Sequence, residues 1–70
     1  TIRYYLKNDS NVRFFVYNSL GQQVFDSGDD YQTSGIKNFS FTGKNLASGI
    51  YYYQMHTEDK IFNSKFVLLK

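Results

Sequence analysis

The chain has no cysteine, no proline and no tryptophan, and it carries a single histidine and a single methionine. Without cysteine there is no disulfide framework. With His56 as the one imidazole, the usual nitrogen and sulfur ligands of a zinc site are missing too. A 70-residue domain normally leans on such staples, because it buries only about 60% of the surface its unfolded chain exposes. Stability therefore falls to packing. Long hydrophobic runs are also absent: Phe66-Val67-Leu68-Leu69 is far short of the roughly 20 residues that cross a bilayer. No membrane insertion is expected, and no signal peptide is visible. Eight Lys and Arg against six Asp and Glu leave a net charge of +2, scattered from Arg3 to Lys70. No basic run marks a nucleic-acid partner, and none is expected.

Catalytic groups are equally sparse. One His, one Glu and five Asp supply the titratable inventory near neutral pH, and no Gly-x-Ser-x-Gly elbow occurs. We expect a protein that is not an enzyme and needs no cofactor or metal. His56 is expected at a strand end facing solvent. Asp26, Asp29 and Asp30 have the chemistry of a calcium loop, but Gly28 precedes the Asp pair where an EF-hand has Gly after its first three acidic positions. A solvated turn is the expected reading there.

What the chain has in quantity is aromatic mass, seven Tyr and seven Phe, each able to bury roughly 150–250 Å². These rings recur with period two, and no window shows helical spacing. Residues 1–6 put Ile2, Tyr4 and Leu6 on one side. After an Asn8-Asp9-Ser10-Asn11 turn, residues 12–17 send Val12, Phe14 and Val16 to the core and Arg13, Phe15 and Tyr17 to the other face. Asn18-Ser19-Leu20-Gly21 has the residues of a type I turn with a left-handed Gly21, leading into a strand at 22–25. Two breaker clusters, Asp26-Ser27-Gly28-Asp29-Asp30 and Thr33-Ser34-Gly35, predict loops with little regular structure between them.

Residues 37–42 alternate again as a half-buried strand, ended by Gly43-Lys44-Asn45. Leu46 is expected to plug the sandwich edge, and Gly49 to open a strand through His56 with Tyr51, Tyr53 and Met55 inward. Glu58-Asp59-Lys60 turns the chain into a last strand at 61–69. The pattern predicts an all-β fold, an immunoglobulin-like antiparallel β-sandwich of about six to seven strands; a barrel is the alternative. The chain starts at Thr1, and we expect residues 1–70 to form one domain excised from a larger secreted protein.

Four segments in order resemble the C-terminal sorting domains of the bacterial type IX secretion system. They are Thr1-Ile2-Arg3-Tyr4-Tyr5-Leu6, the stretch from Val12 to Gly21 with Gln22-Gln23-Val24 after it, Leu46-Ala47-Ser48-Gly49-Ile50-Tyr51-Tyr52-Tyr53, and Lys65-Phe66-Val67-Leu68-Leu69-Lys70. The family's Asn-Pro-rich lead-in has no counterpart here. The resemblance implies a non-catalytic address label that directs a passenger across the outer membrane by way of the periplasm to the cell surface or medium. Its implied partners are the outer-membrane type IX translocon and a surface signal peptidase.

A terminal strand is suited to strand addition, which makes Lys65, Phe66, Val67, Leu68, Leu69 and Lys70 the candidates for receptor recognition. Gly21, Leu46, Gly49 and Tyr51 are the candidate scaffold. Exposed strand edges also leave room for a homodimer by edge-strand pairing. The runner-up function is a carbohydrate-binding or structural immunoglobulin-like module of an extracellular enzyme. It rests on Tyr5, Phe15, Tyr17 and the Tyr51-Tyr52-Tyr53 run as surfaces for stacking sugars.

Overall fold

Seven strands and no helix make up the described residues of this computed structural model, which are 2–41, 43 and 45–69. The strands are β1 (Ile2–Leu6), β2 (Ser10–Tyr17), β3 (Gln23–Asp26), β4 (Asp30–Gln32), β5 (Gly35–Phe39), β6 (Gly49–His56) and β7 (Ile61–Leu68). β1 and β5 form a two-stranded antiparallel sheet, and a five-stranded sheet runs β3-β2-β6-β7 with β4 also on β2. All pairings are antiparallel. The expected all-β sandwich is therefore what forms. The larger sheet is open, with β3 and β7 at its ends, so the barrel alternative does not apply.

Alternation decides which side of each strand is buried. Val12, Phe14 and Val16 of β2 are buried, as their spacing predicts, and so are Tyr51 and Met55 of β6. Leu6 joins Val12, Phe14 and Met55 in the main cluster, with Tyr4, Phe39 and Tyr53 packed against it. The Phe14 and Phe39 rings stack across the two sheets, 4.0 Å apart and 7° from parallel. From Phe39 the aromatic contacts run on through Phe25 at 6.0 Å, Phe41 at 5.0 Å and Phe66 at 5.9 Å. Phe66 then meets Tyr51 at 5.8 Å. This chain of rings supplies the packing that the missing staples would otherwise supplement. Burial pushes the Tyr4 hydroxyl above its ordinary pKa. Its hydrogen bond to the Gln32 side chain acts the other way, and the negative charge of Asp30 adds to the rise.

Three expectations need correction. Asn8-Asp9-Ser10-Asn11 is not all turn, because Ser10 and Asn11 already belong to β2 and pair with Gln32 and Tyr31. Ser10 is buried there, and its Oγ accepts the Glu58 N–H at 3.0 Å. The segment between the breaker clusters holds a strand rather than loop. Asp26 lies opposite Phe15 and Asp30 opposite Val12, with Ser27 bonded to Phe14 in both directions. β3 and β4 thus follow one another along β2, separated where Gly28 takes φ 73°. Finally, the run at 37–42 is displaced: β5 starts at Gly35, opposite Leu6, and ends at Phe39. The expected positions of Thr1, Thr42, Lys44 and Lys70 lie outside the described residues.

Candidate functional site

β7 is the last strand of the chain and an edge of the larger sheet. Among the described residues it pairs only with β6, from Gly49↔Leu68 to His56↔Ile61. Its second row of backbone N–H and C=O groups therefore has no strand beside it. Alternation divides its side chains. Phe66 turns its ring inward against Phe41, Tyr51 and Tyr53, and Leu68 fills the space over Gly43. Lys65 is exposed opposite Tyr52, Val67 is 61% exposed opposite Ile50, and Leu69 is 81% exposed. The candidates Lys65 to Leu69 thus fall into an inward anchor, Phe66 and Leu68, and an outward row, Lys65, Val67 and Leu69. Lys70 lies outside the described residues. At the start of the strand, Phe62 is 48% exposed beside a cleft of about 380 Å³ that it shares with Leu6 and Met55.

The scaffold residues hold this edge in place. The Tyr51 side chain is buried, and its hydroxyl donates to the Ala47 carbonyl at 2.7 Å. That bond ties the entry loop to the strand it feeds, which accounts for an aromatic with a polar tip at this position. Half-buried Leu46 donates its N–H to the Gly43 carbonyl at 2.9 Å, and Gly49 opens β6 opposite Leu68. Gly21 takes φ 82° and donates its N–H to the Asn18 carbonyl at 3.0 Å, the left-handed turn expected of it. Asn18 Oδ1 accepts two further backbone N–H groups, from Leu20 and Gln22. Sequence reasoning missed the contact of Gly43 with Leu68. Its only signal is a glycine just before the last two strands.

On the outer face of the larger sheet, Arg13 holds Asp26 through two hydrogen bonds, the Nε one at 2.8 Å, and lies over the Phe15 ring at 4.9 Å. The Arg13 guanidinium, helped by the Gly28 N–H, lowers the Asp26 carboxyl pKa to about 2. Asp26 is thus engaged as an ion-pair partner, and Asp30 accepts from the Gln32 amide at 3.0 Å. No group of three His, Cys, Asp or Glu among the described residues is placed to hold a metal ion. His56 closes β6 half-buried rather than facing solvent freely. Its ring packs on Phe15 at 4.8 Å and its Nε2 lies 3.0 Å from Gln54 Oε1. Of the Tyr51-Tyr52-Tyr53 run only Tyr52 faces outward, and Tyr5 lies on the other sheet.

No curated protein and no solved structure matches the chain. A family described as the secretion system C-terminal sorting domain matches residues 1–69, which takes in both the turn at Gly21 and the edge strand β7. The chain belongs to that family, the C-terminal secretion signals of type IX secretion, whose members mark proteins for release or display at the cell surface.

Proposed function

We propose that this domain is a non-catalytic label that directs its passenger from the periplasm across the outer membrane through the type IX translocon, and that a surface peptidase then removes it. Docking uses the outer edge of β7, with Lys65, Val67 and Leu69 toward the receptor, Phe66 and Leu68 as internal anchors, and Lys70 as a further candidate contact. The observation that supports this reading is the edge of β7, which ends the larger sheet's strand order with exposed apolar side chains and pairs, among the described residues, with β6 alone. A receptor strand adding there gains main-chain hydrogen bonds, and the alternate side chains supply specificity. The 70 residues act as one folding unit attached to the passenger. Two copies would pair along the same edge, so a dimer and a receptor complex exclude one another. Sedimentation over rising protein concentration reads that competition.

The test is a periplasm-targeted fluorescent reporter fused ahead of residues 1–70, expressed in a type IX-competent bacterium and in a translocon-null strain. Reporter at the surface or in the medium of the competent strain alone is the expected result. Retention in the periplasm of both strains, with the reporter folded, overturns the reading.

A further inference from the structure

The outer face of the larger sheet carries a shallow cleft of about 280 Å³ that reaches from β2 across β6 to β7, lined by Tyr17, Asn18, Ser19, Tyr52, Gln54 and Asn63 among others. No charged and no aliphatic side chain lines it. Tyr17 and Tyr52 are direct cross-strand partners on β2 and β6, and Tyr52 is 46% exposed. Phe15 packs on Tyr17 at 6.5 Å and limits how its ring can turn. Gln54 and Asn63 are paired between β6 and β7. Gln54 Oε1 is engaged by His56 and the Asn18 side chain by its own turn. Neither tyrosine hydroxyl nor the Asn63 amide bonds to another described residue.

We infer that this cleft binds a neutral glycan built of equatorially substituted hexopyranose rings. Such a ring has two apolar C–H faces, which stack on Tyr, and a rim of hydroxyls that planar amides bond as both donor and acceptor. In this cleft Tyr17 and Tyr52, cross-strand partners, each offer a ring for stacking, and Gln54 and Asn63 supply the amides. The lining itself carries no charge and Lys65 stands exposed at its border, opposite Tyr52, so an anionic saccharide is the discriminating probe. The volume lies just under the roughly 300–1,000 Å³ of drug-sized sites, which suits one or two rings of a longer chain. The site borders the docking row, since Asn63 belongs to β7 and Lys65 pairs with Tyr52; glycan titration of the isolated domain and the export assay read the two proposals separately.

The test follows backbone amide shifts of the ¹⁵N-labelled 70-residue chain during titration with cellohexaose, and in parallel with hexagalacturonate as an anionic probe. Saturable shifts centred on Tyr17, Tyr52, Gln54 and Asn63 with cellohexaose are expected. Tyr52→Ala should weaken binding by roughly tenfold, as loss of a stacked ring implies, while Tyr52→Phe keeps it. If Tyr52→Ala loses its dispersed spectrum, Asn63→Ala, at an exposed position, replaces it, and binding there should again fall. Absence of saturable shifts, equal binding by both variants and the parent, or tighter binding of hexagalacturonate overturns the inference.

Discussion

A Cβ built on Gly43 would lie 2.5 Å from Leu68 Cδ2 and 3.0 Å from its Cδ1. The connection leading to β6 and the end of β7 thus compete for one volume, and the glycine yields it to the leucine. Gly43→Ala is expected to cost about 1–2 kcal/mol by forcing Leu68 off its rotamer. Urea unfolding measures the loss, and the paired change Gly43→Ala with Leu68→Ala should cost less than the sum of its parts.

Tyr51→Phe keeps the ring stacked on Phe66 and removes only the bond to the Ala47 carbonyl. The expected loss is about 1 kcal/mol, read as a lower urea midpoint with an unchanged slope. A loss near zero would show that water replaces the hydroxyl at no cost.

Two groups give stability opposite pH dependences. The Asp26 carboxyl is held at about 2, below its ordinary 3.8. Its contribution is therefore present above pH 3.8 and is lost as pH falls through about 2. Arg13→Gln should flatten that acid limb, as followed by thermal unfolding at stepped pH. The Tyr4 hydroxyl is raised above 10.0, so its contribution is present below that pH and disappears on further alkaline titration. Tyr4→Phe should remove that second dependence.

On the proposed docking reading, the alternation of β7 separates folding from recognition. Phe66→Ala removes a ring that touches Phe41, Tyr51 and Tyr53 and is expected to cost about 2–3 kcal/mol. Val67→Asp, on the exposed row, should change stability by less than about 0.5 kcal/mol yet reduce export of a fused reporter. Export unchanged by Val67→Asp and Leu69→Asp together would remove the outward row from the docking surface.

The parts of this fold that could be read in advance are those where one face of a strand is buried. β2 announces itself because Val12, Phe14 and Val16 are apolar at every second place, whereas β6 is legible as a strand from its aromatic run but Ile50-Tyr51-Tyr52-Tyr53 leaves its inward face ambiguous until its pairing is known. β4 was hidden because Asp30-Tyr31-Gln32 is three residues long with no buried face of its own. It is a strand only because the first residues of β2 need a partner. The start of β5 was misplaced for a related reason: Gly35 has no side chain to signal a strand, and its pairing with Leu6 decides the matter. Of the receptor-contact candidates, Lys65 to Leu68 lie in β7 as a strand there predicts, but the division between anchors and exposed row depends on its register with β6. Likewise Tyr17 and Tyr52, far apart along the chain, become neighbours only through strand pairing.

The central pairing joins strands from the two halves of the sequence, since Phe14 finds Met55 and Tyr17 finds Tyr52. Such a sheet nucleates only by closing a large loop, and all-β domains with this wiring fold in roughly milliseconds to seconds rather than microseconds. Among the described residues β7 pairs with β6 alone, across the short turn at 57–60, so this hairpin closes locally while its attachment to β2 waits on the longer loop. On the proposed docking reading, the edge a receptor would use is built by the most local pairing in the sheet and is anchored by the least local one.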